Sequence, residues 1–198
     1  MSSVASEHLD RVEKFKMDLD ALDLREIVRK HITTGMPAAI HADDYYELRR
    51  DVALEFGLHP NAVILVGSCR MGFTLKLERR FQPFQAGSDL DLALVSSEQF
   101  DSYWDGVFQF ACSDLAWKET EQFSWFRKTL FNGWIDPRNL PPASRFQKAK
   151  AWAGFFDQLM RSKRFGRRRI SARLYRTWER LEAYQEIMVR SCFDDSGA

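Results

Sequence analysis

The sequence has no uncharged apolar stretch approaching the roughly 18 residues that a membrane-spanning helix needs. Its opening residues, Met1-Ser2-Ser3-Val4-Ala5-Ser6-Glu7, offer no basic flank leading into an apolar segment. These absences argue against a membrane protein and a secretory leader, with the cytoplasm as the default expectation. Cysteine is scarce: Cys69, Cys112 and Cys192 are odd in number and widely spaced, which excludes a disulfide framework and a C-x-x-C metal half-site and implies reduced thiols. The four histidines, His8, His31, His41 and His59, include no pair at metal-ligand helical spacing, so a histidine-based zinc site is not expected. With 10 Gly and 6 Pro in 198 residues, fibrous and low-complexity classes are excluded as well. Several motifs are also missing: the G-x-x-x-x-G-K-[ST] phosphate loop, the G-x-G-x-x-G dinucleotide turn and the G-x-S-x-G nucleophile elbow.

What is present is a composition suited to a packed core, 45% hydrophobic and 29% charged, in a length that favours one domain. We expect a core over about residues 43–140, with an N-terminal helix (6–22) and a basic helical region (143–192) packed on it. Net charge is +1, but residues 145–180 hold twelve Lys or Arg against Asp157 and Glu179, so this stretch carries +10 and the remainder −9. Such asymmetry suits an anionic ligand held between the two, or else a solvated helical face. The six tryptophans, Trp104, Trp117, Trp125, Trp134, Trp152 and Trp178, read as core packing rather than base stacking.

Hydrophobic spacing predicts the elements. Val12, Phe15, Leu19 and Leu22 mark the helix over 6–22, and Tyr45, Leu48, Val52 and Phe56 mark another over 43–56, stopped by Gly57. The run Ala62-Val63-Ile64-Leu65-Val66 is short, β-branched and continuously apolar, the pattern of a buried central strand. After a loop from Cys69 to Gly87, Leu90, Leu92 and Leu94 alternate with Asp89, Asp91 and Ala93 as a second strand. Helices are predicted over 97–111 and 118–131, an irregular connection over 133–142, and a helix N-capped by Ser144 with Trp152 and Phe156 on its apolar face. A short strand over 169–175 and a helix over 177–191 complete the chain. The fold class is therefore α/β (α+β): a small mixed sheet flanked by many helices.

The chemistry concentrates in Val66-Gly67-Ser68-Cys69-Arg70-Met71-Gly72 and Ser88-Asp89-Leu90-Asp91-Leu92. Side chains at i and i+2 of a strand share a face, so Asp89 and Asp91 project together while Leu90 and Leu92 turn to the core. Two adjacent carboxylates on an apolar strand call for a cation, and hard oxygen ligands suit Mg²⁺ or Mn²⁺. The Gly-Ser turn supplies the complementary half: small residues let backbone N–H groups approach a phosphate, and the Ser68 hydroxyl can donate to it.

The combination of apolar strand, Gly67-Ser68 and Asp89-Leu90-Asp91 resembles the polymerase-beta-like nucleotidyltransferases, in particular the small bacterial type, over roughly residues 60–96. The resemblance implies metal-dependent attack on the α-phosphate of a nucleoside triphosphate with release of pyrophosphate. Gly67 and Ser68 would hold the β- and γ-phosphates, with Arg70 and Gly72 nearby, and Asp89 and Asp91 would ligate the metal. The 21 positions between Ser68 and Asp89 place an insertion around Leu77 to Ala86, whose Glu78-Arg79-Arg80-Phe81 could touch substrate. A third carboxylate, usual in the family as the base for the acceptor hydroxyl, is missing from the strand over 169–175. Asp136, in Gly133-Trp134-Ile135-Asp136-Pro137, is the nearest downstream carboxylate, with an ordinary turn before Pro137 as its other reading. The acceptor would be a protein side chain, a small molecule, another nucleotide or an RNA end. An alternative is a catalytically degenerate nucleotide-binding subunit of a bacterial antiviral defence or toxin–antitoxin module. A third is an RNA- or DNA-binding module built on Lys163, Arg164, Arg167, Arg168 and Arg169.

Overall fold

The computed structural model describes residues 2–192, with side chains from Ser6 onward; residue 1 and residues 193–198, included in the single-domain expectation, lie outside the described residues. Helix α1 (Ser2–Ala21) is followed by α2 (Leu24–Val28), capped where the Asp23 carboxylate accepts from the Glu26 N–H at 2.9 Å, and α2 passes into a π-helical turn, Arg29–Thr33. Helix α3 (Ala42–Phe56) ends at Gly57 in the left-handed conformation, φ 62°. Strand β1 (Val63–Val66) runs into a single helical turn, α4 (Gly67–Met71). Then come β2 (Leu90–Val95), α5 (Ser97–Ser113), α6 (Leu115–Lys118), α7 (Glu121–Phe131), β3 (Trp134–Ile135), α8 (Gln147–Ser162), β4 (Ile170–Tyr175) and α9 (Trp178–Arg190).

The sheet order is β1-β2-β4-β3, with β1 antiparallel to β2, β2 parallel to β4 and β3 antiparallel to β4. The expected helix-rich α+β class with a small mixed sheet is therefore what the chain adopts. Alternation splits the sheet's side chains between two helical layers. Leu65, Leu90, Leu92, Leu94 and Leu174 face a cluster built from α3, α5 and α8, including Leu48, Tyr103, Trp152 and Phe156. Ile64, Val66, Ala93, Val95 and Tyr175 face Val12 and Phe15 of α1, Ile27 and Val28 of α2, and Leu181 of α9. Burial on both faces is why the β1 segment is apolar without alternation. Among the described residues no helix is long and apolar enough to cross a membrane.

Local differences from the sequence reading have physical causes. The stretch over 118–131 divides because the Thr120 hydroxyl accepts from the Phe123 N–H at 3.2 Å and starts a new helix. Ser144 does not cap α8: the Pro142 carbonyl accepts from the N–H groups of Arg145 and Phe146, at 2.9 and 3.0 Å, so a turn precedes the helix. The irregular connection over 133–142 contains β3, which pairs Trp134 with Tyr175 and Ile135 with Leu174. The basic region beyond residue 143, expected to pack on the core, supplies the interior strand β4. Of the tryptophans expected in the core, Trp117 and Trp152 are buried, whereas Trp104 and Trp125 are 45% and 46% exposed.

Candidate functional site

The strand directions bring the C-terminal end of β1 and the N-terminal ends of β2 and β4 to one end of the sheet, whereas β3 pairs with Leu174 and Tyr175 at the C-terminal end of β4. Gly67, Asp89, Asp91 and Ser171 therefore gather there from three separate parts of the sequence, and Asp136, which follows β3, stands further along β4 beside Arg173. Val66 pairs with Asp91, and Asp91 pairs with Ser171. Gly67 adopts φ +67°, a conformation glycine takes without strain, and a Cβ built on it would stand 3.6 Å from the Asp91 Oδ2. The Gly-Ser turn thus lies beside the second carboxylate of the pair. Ser68 is half-buried at the start of α4, and the first backbone N–H groups of a helical turn have no partner within it.

Asp91 is half-buried and accepts a hydrogen bond from the Ser171 hydroxyl at 2.6 Å. Asp89 is exposed and immediately precedes β2, where alternation gives it the same side of the sheet as Asp91. Among the described residues no group of three or more His, Cys, Asp or Glu is placed to hold a metal. The donor set is instead two carboxylates with a neighbouring hydroxyl. That set fits Mg²⁺ or Mn²⁺, which keep several waters and complete their shell with substrate phosphate oxygens. Cys69, next to the turn, is buried, and burial pushes its thiol up to about 12, with Arg168 lowering it and Asp91 raising it by smaller amounts. It is a thiol rather than a nucleophilic thiolate at neutral pH.

Other expected site residues have different roles. Arg70 does not reach toward the turn's phosphate side: it is 5% exposed and donates to the carbonyls of His31 at 3.3 Å and Gly35 at 2.6 Å, fixing the chain beyond the π-helical turn. Gly72 ends α4 at φ +83°, where a Cβ would meet Ala38 at 3.1 Å and Arg11 at 3.2 Å, so its smallness serves packing against the N-terminal segment. In the insertion, the Arg80 guanidinium donates to the Ser191 carbonyl at 2.6 Å and Phe81 packs edge-on to Phe15 and tilted on Phe73, away from the carboxylates.

Asp136 is buried, and both its oxygens are taken. Arg138 donates to it from its backbone N–H at 3.0 Å and from Nε at 2.9 Å, both to Oδ1, and from the second guanidinium nitrogen to Oδ2 at 2.5 Å; the Arg173 guanidinium stands 3.6 Å away. Burial works to raise the Asp136 carboxyl, but the Arg138 hydrogen bonds and the two positive charges outweigh it and hold the group below the ordinary 3.8. A general-base role is therefore not what this geometry offers; Asp136 caps the turn before Pro137 and anchors two arginines. Asp136→Asn should cost about 2 kcal/mol at neutral pH, a figure kept modest because Arg138 is largely exposed. Because the folded pKa is depressed, this contribution is complete above the unfolded value and is lost as pH falls through the folded one. Urea unfolding from pH 7 to 3 should show the gap between the parent and Asp136→Asn closing only below about 4.

The five residues of the basic patch differ in their partners. Arg164 forks onto Asp51 and Glu47, both at 2.6 Å, and Arg168 lies over the Phe84 ring at 4.6 Å while donating to the Gln85 carbonyl at 3.2 Å. Lys163 is the left-handed C-cap of α8, φ 56°, and of the five only Arg164 has a carboxylate within ion-pair distance among the described residues. The loop still borders the site, since the Leu90 N–H donates to the Arg169 carbonyl at 2.9 Å.

Ser171, Arg173 and Arg138 were not foreseen as site residues. Ser171 and Arg173 alternate on β4 and so share a side of the sheet with Asp91, but only the β2–β4 register reveals this. Arg138, two residues after Asp136 across a proline, was readable as a turn partner. Comparison with known proteins finds no family model that matches the chain, and no curated protein or solved structure similar enough to count as a relative.

Proposed function

We propose that the protein is a Mg²⁺-dependent nucleotidyltransferase that transfers a nucleoside monophosphate from a nucleoside triphosphate to an acceptor and releases pyrophosphate. The observation that carries this reading is the proximity of the Gly67 turn to the Asp91 carboxylate, so that groups suited to a phosphate and to a cation stand side by side. In this reading Asp89 and Asp91 hold the cation, which neutralises phosphate charge when bound. Ser68 and the turn's backbone N–H groups hold the terminal phosphates, and Ser171 orients the Asp91 carboxylate through its hydrogen bond. The reaction belongs in the cytoplasm, where triphosphates and magnesium are available together.

A second reading has its own support: a nucleotide-binding subunit without transfer activity, working through a protein or nucleic-acid partner. The position beside Asp91 on β4 is Ser171 rather than a carboxylate, and Asp136 is occupied by Arg138 and Arg173. The deciding experiment incubates the protein with each α-labelled triphosphate and Mg²⁺, alone and with cell lysate. A labelled protein, RNA or small molecule together with released pyrophosphate supports transfer. Magnesium-dependent triphosphate binding without turnover supports the second reading, and absence of both sinks the assignment of Gly67, Ser68, Asp89 and Asp91.

A further inference from the structure

At the opposite end of the sheet from the carboxylates, α5 and α7 leave an open groove of about 830 Å³ between them. The α5 wall presents Phe100, Asp101 and Trp104, and the α7 wall presents Ser124, Arg127, Lys128 and Phe131, each set at helical spacing on one face. Arg176, just past β4, and Arg180 of α9 also line it. A smaller cleft of about 290 Å³ adjoins it along the β3 edge, with Lys128 lining both and Trp125, Trp134 and Arg138 beyond. From the exposed rings and the unpaired Arg127, Lys128 and Arg180 along this track, whose Arg138 and Arg176 are held by Asp136 and Asp101, we infer that it binds single-stranded nucleic acid.

Two features separate this surface from an ordinary solvated face. The first is its aromatic content: Phe131 is 87% exposed, Trp104 45% and Trp125 46%, in a protein whose other large rings are mostly packed in two cores. The second is its charge. Among the described residues Arg176 alone of the groove's cations has a carboxylate partner, with two contacts to Asp101 at 3.1 and 3.3 Å. Arg127 and Lys128 lie over the rings of Phe123 and Trp125, at 5.8 and 4.6 Å, and Arg180 packs against Gly133, none within ion-pair distance of a carboxylate among the described residues.

The occupant must offer negative charge at repeated intervals and flat apolar faces between the charges. A duplex offers phosphates but keeps its bases stacked inside, leaving Trp104 and Phe131 unused. An apolar protein surface would use the rings but leave lysine and arginine to be desolvated without partners. A single strand uses both, because bases stack on aromatic rings while the backbone follows the cations. The inference does not rest on triphosphate chemistry: the groove lies away from Asp89 and Asp91 and requires no cation.

The test measures fluorescence anisotropy of labelled twelve-nucleotide oligouridylate and oligothymidylate, the matching duplex, and polyglutamate, without triphosphate or Mg²⁺. The single strands should bind at least tenfold more tightly than the duplex, with quenching of tryptophan fluorescence. Trp104→Ala and Phe131→Ala should each weaken binding by about 5- to 150-fold, the loss of one stacked base. The double variant Arg127→Gln/Lys128→Gln should flatten the dependence of log K on log salt by about 1.4, two phosphate contacts at about 0.7 each. These side chains are exposed, so thermal unfolding should be unchanged and a binding loss is not a folding loss. Equal affinity for duplex, or affinity unchanged by all the variants, would overturn the inference. So would polyglutamate binding that falls equally in Trp104→Ala, which would make the occupant an acidic protein segment. A difference between uridylate and thymidylate tells RNA from DNA within the supported outcome.

Discussion

Asp91→Asn should lower magnesium-dependent turnover of a nucleoside triphosphate by about three orders of magnitude, and Asp89→Asn should do much the same. A carboxylate that holds a catalytic cation contributes several kcal/mol to the transition state, and about 4 kcal/mol corresponds to a thousandfold in rate. The fold should tolerate either change. Asp89 is exposed, and an asparagine at 91 retains a carbonyl oxygen able to accept from the Ser171 hydroxyl that now stands 2.6 Å from the carboxylate. Two measurements separate a lost site from a lost fold. Thermal unfolding in chelator should stay near that of the parent, while the rise in unfolding temperature produced by Mg²⁺ with triphosphate should vanish, because that rise reflects binding to the folded state alone. Full activity in both variants would remove the metal site from the proposal. If the parent binds triphosphate without turning it over, the same variants should still lose the magnesium-dependent stabilisation.

The residues of this site differ in how far the sequence made them readable. Gly67-Ser68 and Asp89-Leu90-Asp91 were legible because each is local. A short apolar run that must be a strand fixes where the turn begins, and a period of two fixes which residues leave the core. The strand over 169–175 was visible for the same reason, but its place between β2 and β3 was not, since parallel pairing over 80 positions leaves no local mark. The role of Ser171 depends wholly on that register. Arg70 was misread for a different reason. An arginine two residues after a Gly-Ser turn looks like a phosphate ligand, but α4 turns its side chain into the protein, where two backbone carbonyls accept from it. Charge counted along the basic stretch over 163–169 ignores tertiary ion pairs: Asp51 and Glu47, more than a hundred positions earlier, pair with Arg164, whereas Lys163, Arg167, Arg168 and Arg169 have no carboxylate within ion-pair distance among the described residues. A second group of unpaired cations, this one beside exposed rings, sits between α5 and α7, whose Trp104 and Trp125 composition alone assigned to the core.

The second large effect is expected where the site is short of a carboxylate. Ser171 is opposite Asp91 on β4 and already within hydrogen-bond reach of it, so Ser171→Asp puts a third carboxylate beside the pair without moving the backbone. Without a cation the change should destabilise. It removes the hydroxyl that donates to Asp91 and sets like charges across adjacent strands, at a cost of about 1 kcal/mol, or roughly 2–4 °C in unfolding temperature for a chain this long. Magnesium should reverse that loss, and should stabilise the variant more than the parent, because the added carboxylate provides another hard oxygen donor. If the acceptor hydroxyl lies near this position, the new carboxylate can also take its proton. A positioned base contributes about 10²- to 10⁴-fold, so single-turnover transfer should rise by about a hundredfold or more. A variant that gains magnesium stabilisation but no rate would mean that Ser171 borders the cation and not the acceptor. A variant stabilised by magnesium no more than the parent, and no faster, would mean that the cation is not held beside Asp91, and the two-carboxylate site proposed for Asp89 and Asp91 would fall with it.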